Sequence, residues 1–540
     1  MRQQIKEIID TYKSQAPTTP ILLLTAMAEG ADQIAAEVGL ESDGVFVIAV
    51  LPFTPADYGS DFESEETLAN FHTLLSKCHA VLEADDYYDH PNHLRVSGDG
   101  TSESITARTH AYRDCARLIS QQSHVLIAVW DGVVSTLSGG TSDTITHRLS
   151  ASKQIQTKNE HEHAWPLISG TLLHISARRE EIPDACGSIT APLVPEIRVL
   201  TESDGSQKWS SQRPDLALAN FELLNSLLES DEYKHLKKVR LTNALMEIAD
   251  VESAKLQRSF KRQVAVLLSA GIVALFTFDL QHDFSTPYPF GLTVITLLGT
   301  ALLWLRFVKG TLRDQFYQFR SLAEGLRVQA VWLDCAISRD ASNEYLRGVP
   351  DVLWIPRAMR TSRFLDGIQH HSGELDDIEV ASHATDWIQG QIRYFEGDLT
   401  HKGAIAESHF KKRTFDALSL GNLALAMVCL FLDSLRFKAH QGSGLEDFLR
   451  IEQLVMYLSL SVSAGSAAYS NLMAYREIER QYEIGLRNFK QGLDILTKEE
   501  LIESSKRESI QSVVIQIGRE ALQETGTWLS LKRDRAVNPI

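Results

Sequence analysis

The chain has 540 residues, a formal net charge of -17 at pH 7, and 44% hydrophobic against 23% charged residues. That length leaves room for several domains with ample core, and the acidity argues against a broad nucleic-acid surface. The five cysteines (Cys78, Cys115, Cys186, Cys335, Cys429) make no CxxC pair and no metal-ligand spacing, so reduced thiols are expected. The polar, amphipathic start MRQQIKEIID argues against a cleaved signal peptide.

In chain order, residues 1–20 read as a short helix and a proline turn, and the apolar run Ile21–Thr25 predicts a strand. AEGAD at 28–32 then opens a helix over 33–38. Val45–Leu51 predicts a strand stopped by PFTP at 52–55; a helix over 61–77, a short strand Ala80–Glu83 and a polar loop over 84–100 follow. A helix over 104–121 leads to an apolar run at 124–130, too short for a helix and right for a buried strand. Asp131-Gly132 breaks it, and SGGT at 138–141 opens a helix over 141–151. A strand near 171–175, a polar loop over 180–213 and an amphipathic helix carrying Leu218, Phe221, Leu224 and Leu227 complete this half.

Alternating strands and helices predict an α/β, Rossmann-like parallel sheet with ligands at the carboxyl ends of the strands. Two strand–glycine–helix junctions, at 25–32 and 130–143, are places where backbone can approach an anion facing helix amides. One such junction alone is more often a tight connection. Two in one sheet favour binding.

TAMAEGADQIAAEVGL at 25–40, VIAVLPF at 47–53 with Tyr58 and Asp61-Phe62 after it, and HVLIAVWDG at 124–132 followed by SGGTSDT resemble the SLOG family. The resemblance covers about residues 20–180 and implies binding of a nucleotide or a nucleotide-derived second messenger. With the junctions it points to Thr25, Ala26, Glu29, Gly30 and Asp32 after the first strand, and to Pro52 and Tyr58 after the second. After the fourth it points to Trp130, Asp131, Gly132, Gly139, Gly140, Thr141 and Asp143. Two features depart from the pattern. No strand with an SGHR-type turn precedes Ile21, so a first phosphate loop is missing or the chain starts upstream. The PGGxGTxxE loop of the related LOG hydrolases is shortened to SGGTSDT, with Asp143 the nearby acid. Sensing is therefore favoured and no catalytic residue is assigned. The alternative is a membrane-anchored LOG-like nucleotide or NAD hydrolase using Asp143 or Glu29.

The second half predicts four membrane spans, at 264–280, 288–308, 417–432 and 454–474. Lys255, Arg258, Lys261 and Arg262 precede the first, and Arg306, Lys309 and Arg313 close the second. Residues 281–287 carry no Lys or Arg. Lys411, Lys412 and Arg413 precede the third span, and Arg476 and Arg480 follow the fourth. This is the positive-inside pattern for two hairpins with both termini cytoplasmic, weakened only by Arg436, Lys438 and Arg450. Between the hairpins Arg320, Glu324 and Arg327 form an ion-pair ladder at helical spacing. That block, Trp387, Gln391 and Tyr394, and EALQE at 520–524 with Trp528 resemble the SLATT family of membrane effectors, over about 250–535.

The expected organisation is a sensing domain at 1–195, a helical connector at 196–255, a first transmembrane hairpin at 256–310 and a cytoplasmic helical segment at 311–412. A second hairpin at 413–475 and a helical cytoplasmic region at 476–540 follow. The expected function is a homo-oligomeric, ligand-gated effector of bacterial antiviral defence in the inner membrane. Its partners would be the lipid bilayer, a nucleotide second messenger and a separate enzyme that makes it, with no nucleic acid and no other cofactor. A scaffold that binds no ligand is the bland alternative. His161-Glu162-His163, His90 and His93 read as solvated loop residues, so no metal is expected.

Overall fold

The computed structural model describes residues 1–84, 102–133, 139–150, 171–176, 197–201, 205–210, 215–280, 288–346, 352–369, 375–398, 402–439, 446–497 and 506–534. Its first elements are α1 (Arg2–Gln15), β1 (Ile21–Thr25), α2 (Ala31–Leu40), β2 (Val45–Leu51), α3 (Pro55–Gly59), α4 (Glu65–Leu75) and β3 (Ala80–Glu83). Then come α5 (Ser102–Gln122), β4 (Val125–Trp130), α6 (Thr141–Ser150), β5 (Thr171–Ser176), β6 (Ile197–Thr201), β7 (Gly205–Lys208) and α7 (Leu216–Glu229). The rest is helical: α8 (Leu241–Leu280), α9 (Tyr288–Lys309), α10 (Leu312–Asp334), α11 (Trp354–Gln369) and α12 (Asp377–Glu396). The last four are α13 (Ala404–Ala439), α14 (Glu446–Met473), α15 (Tyr475–Leu496) and α16 (Lys506–Asp534). The chain falls into two compact units, Met1–Ile248 with Leu322–Leu375, and Ala249–Ser321 with Asp376–Ile540.

In the first unit β1, β2 and β3 pair in parallel, Ile21 opposite Val45 and Ile48 opposite Ala80. The five strands expected up to residue 176 are all present. A single parallel sheet is not what they build. β4 and β5 pair in parallel within a second sheet, and β6 and β7 extend it antiparallel, Leu173 opposite Val199 and Arg198 opposite Lys208. The hairpin β6–β7 lies in a stretch expected to be loop and connector. IRVLT alternates, with Ile197 and Val199 turned to the core, but five residues give a weak period and GSQK gives none. Both sheets share one cluster: Ile5, Ile8 and Ile9 of α1 pack with Val38, Val45, Leu173, Ile175 and Ile197. Burial of such apolar area is the main driving force for this unit.

Helix α11 belongs to this unit. Phe364 and Ile368 enter the cluster of Ile48, Val50, Cys115 and Leu118, and Arg360 donates to the Gln121 carbonyl at 3.2 Å. Part of the segment expected to lie between the hairpins therefore folds against the α/β layer. In the ladder at 320–327, Arg327 pairs with Glu324. Gly325 brings α10 close, since a Cβ there would sit 2.6 Å from the Met359 sulfur.

Among the described residues three helical segments are long and apolar enough to cross a membrane, Leu241–Asp279, Phe290–Asp334 and Ala404–Ser434; the first begins and the second ends within the first unit. Phe290, Ile295, Leu298 and Leu302 of α9, and Leu420, Met427 and Phe431 of α13, are each more than half exposed, as lipid-facing residues are. The fourth expected span lies in α14, which is not among the three. Ser459, Ser461, Ser463, Gly465 and Ser466 dilute its hydropathy while letting it pack closely. A Cβ on Gly465 would come within 2.5 Å of Ile272 on α8. Hydroxyls knit the pairs: Thr277 bonds Thr296 at 2.8 Å, Thr293 donates to the Thr277 carbonyl at 2.7 Å, and Ser463 donates to the Ser419 carbonyl at 2.8 Å. Ala474, in the left-handed region at φ 53°, breaks α14 from α15. α12 opens with a reciprocal Asp376–Glu379 capping box and packs with α15 and α16 through Ile388, Phe395, Phe489 and Ile517.

Candidate functional site

β1 ends at Thr25, whose buried hydroxyl ties the turn that follows. It accepts from Met27 N at 3.2 Å and donates to the Asp32 carbonyl at 3.1 Å. Met27 is fully buried with φ 59°, a left-handed conformation that costs a non-glycine residue about 1 kcal/mol. Gly30, at φ 87°, caps α2, and open space lies where its Cβ would be. The Asp32 carboxylate accepts from Ala28 N at 3.4 Å. Burial pushes that carboxyl up to about 6, against the pull of the Ala28 N–H. Glu29 is committed elsewhere: it accepts from Glu63 N at 3.1 Å and from the Thr67 hydroxyl.

The junction after β4 repeats the device. Gly139, at φ 81°, donates its N–H to the Asp143 carboxylate at 2.9 Å, and Gly140 accepts from Thr144 N at 3.0 Å as α6 begins at Thr141. Each junction thus closes with an acid of the first helical turn accepting the amide four residues earlier. The negative charge that suits the helix dipole is supplied from within the chain. Ser138 lies outside the described residues.

Helix α5 draws the blocks together, which sequence reasoning did not foresee. Arg108 and Tyr112 both donate to Asp61, and the Arg108 guanidinium lies 4.4 Å over the Phe53 ring. Tyr112 packs edge-on against Phe53 and Tyr58. A Cβ on Gly139 would come 2.7 Å from Arg113 N, so the second junction rests directly on α5 backbone. Cys115 donates its thiol to the Val50 carbonyl at 3.2 Å. Burial pushes that thiol up, with the charges of Asp32 and Asp114 adding to it. Burial likewise raises Tyr58, helped by the Asp32 charge.

Thr25, Asp32, Tyr58, Gly139 and Asp143 therefore gather around α5. Ala26 joins the cluster beneath it, and Pro52 is buried at the end of β2. Tyr58 is only 3% exposed among Phe53, Phe62, Phe71 and Tyr112, so it forms the floor of the site. Trp130, Asp131 and Gly132 turn toward β5 and their own loop. His174 bonds the Trp130 carbonyl at 3.0 Å, Trp130 Nε1 donates to the Val133 carbonyl, and Asp131 accepts from Val133 N. His90, His93 and the triplet at 161–163 lie outside the described residues.

A second group of charged residues lies at the start of β4. His124 Nε2 bonds Asp215 at 2.6 Å while its Nδ1 faces Arg357, and Arg148 donates to the Ser123 and His124 carbonyls. Burial and the guanidiniums hold the imidazole below its usual value, against the Asp215 bond. A neutral ring donating to Asp215 and accepting from Arg357 fits this geometry.

No protein-family model, curated protein or solved structure matches the chain.

Proposed function

We propose that the chain is a multi-pass membrane effector whose Rossmann-like, SLOG-like α/β unit senses a nucleotide-derived second messenger. One observation carries this reading: three loops that follow parallel strands meet on one helix, α5, through Asp61, Ala26 and Gly139. They bring a raised carboxyl, a guanidinium and two glycine junctions to the strand ends, where α/β sheets bind ligands. The binding residues are Thr25, Ala26, Glu29, Gly30, Asp32, Gly139, Gly140, Thr141 and Asp143, over a floor of Pro52 and Tyr58, with Trp130, Asp131 and Gly132 at the rim.

Chain tracing supports four crossings. α13 leaves from the end of α12, and α15 packs back on α12, with Trp387 edge-on to Phe489 at 5.2 Å. A crossing by α13 therefore requires α14 to return, and the Ser419–Ser463 bonds pair the two. With both termini cytoplasmic and the protein in a bacterial inner membrane, ligand binding would rearrange a homo-oligomer and permeabilise the bilayer as antiviral defence. A separate enzyme would make the signal. The ligand can shift this equilibrium only by its differential affinity for the two states.

The hydrolase reading is less favoured, because Asp143 is tied to Gly139 N and Glu29 to Glu63 N and Thr67. The test is a thermal-shift panel of cyclic nucleotides and ADP-ribose derivatives on the full chain in detergent, with ligand loss followed in parallel. A sensor gains stability without consuming ligand, by about 2.7 kcal/mol at a hundredfold excess over Kd. Product formation supports the hydrolase. No shift by any nucleotide, with toxicity unchanged by Gly140→Glu, would sink the sensor.

A further inference from the structure

Helix α5 meets the candidate site with one half and α11 with the other. Arg108 and Tyr112 hold Asp61, and the Gly139 turn rests on the backbone at 112–113. Further along, Cys115 and Leu118 pack with Phe364, and the Gln121 carbonyl accepts from Arg360. Arg357 of the same helix faces His124 at the start of β4. α11 is thus seated against the α/β layer by two arginines and a phenylalanine.

From α11, Asp366 and Ser362 reach the start of α8. Asp366, 2% exposed, accepts Leu241 N at 2.6 Å and Thr242 N at 3.0 Å. The Thr242 hydroxyl donates to Ser362 Oγ at 3.2 Å. Helices are ordinarily capped by an oxygen on the residue just before them. Here that residue is Arg240, which has no side-chain acceptor and pairs with Asp334 instead. The first turn of α8, the helix that goes on to carry the first apolar segment, takes its cap from a different element.

We propose that α11 is a coupling element: through Asp366 it makes the order of the first turn of α8 depend on where α5 sits. A ligand at the strand ends would then be reported to α8 through Asp61, α5 and α11. The proposal rests on the sensor reading only for what moves α5, and the contacts themselves can be tested without a ligand. A static cap is the competing account. It gives Asp366 the same local role but no dependence on α5.

Hydrogen exchange on the full chain in detergent separates the two, followed in peptides covering 241–248. Asp366→Asn should speed exchange there about tenfold, the factor expected for losing a capping carboxylate. Asp61→Asn, which frees Arg108 and Tyr112 at the opposite end of α5, should speed the same peptides several-fold. In the double variant the result should equal Asp366→Asn alone. Coupling is overturned if Asp61→Asn changes exchange only within 102–122, or if the two factors multiply. Unchanged exchange over 45–51 controls for folding. Tyr112→Phe replaces Asp61→Asn, and Ser362→Ala replaces Asp366→Asn, wherever that control fails. A thermal-shift panel in which no nucleotide binds would remove the sensor reading and leave this cycle standing.

Discussion

The two strand-to-helix junctions use the same closure in different surroundings. After β4, Gly139 is pressed against α5 backbone, and Asp143 takes its amide at 2.9 Å in good hydrogen-bonding geometry. After β1, the glycine faces open space, and Asp32 holds Ala28 N at a long 3.4 Å while burial keeps its carboxyl near 6. The first is built to hold its shape. The second keeps an under-partnered carboxyl beside a strained Met27, a combination of the kind that clusters at functional sites.

Four substitutions would sharpen or break this contrast. The largest effect is expected from Gly139→Ala, which adds a positive-φ penalty to a backbone clash and should cost about 3 kcal/mol in denaturation of the full chain. Gly30→Ala meets only the φ penalty, about 1 kcal/mol. Equal losses at the two glycines would erase the difference. Asp32→Asn comes next, with the opposite sign. The folded state keeps the Asp32 proton to about pH 6, whereas the unfolded chain releases it near 3.8, so stability falls as pH rises between those values. At neutral pH Asp32→Asn should therefore stabilise by about 3 kcal/mol, and melting curves should show the gain vanish below about pH 4. A gain that is the same at every pH would mean that desolvation of Asp32 is not its source. Asp143→Asn should cost least, about 0.5 kcal/mol, from losing the charge at the helix start.

Strands β1, β2, β4 and β5 were legible because their apolar runs are bounded by glycine or proline, and β3 because a short apolar run stands between polar residues. The hairpin β6–β7 was not, since Ile197 and Val199 carry too short a period and β7 has no apolar residue to mark it. The glycine junctions were legible as local strings. What joins them was not: Arg108 and Tyr112 reach Asp61 across 47 and 51 residues, and neither stands out on its own helix. The seat of α11 was further from view, because Arg357 and His124 are 233 residues apart and the flanking apolar segments suggest a different allegiance. Local pattern fixes elements, whereas long-range packing chooses their partners.

The hydroxyl bonds within each helical pair also bear on how the long apolar helices hold together. In an apolar surrounding no water would compete for Thr277, Thr293 and Thr296, or for Ser419 and Ser463, so these bonds would hold each pair together. Gly465 against Ile272 then fastens one pair to the other. Hydroxyls thus join the helices within a pair, and one close glycine contact joins the two pairs.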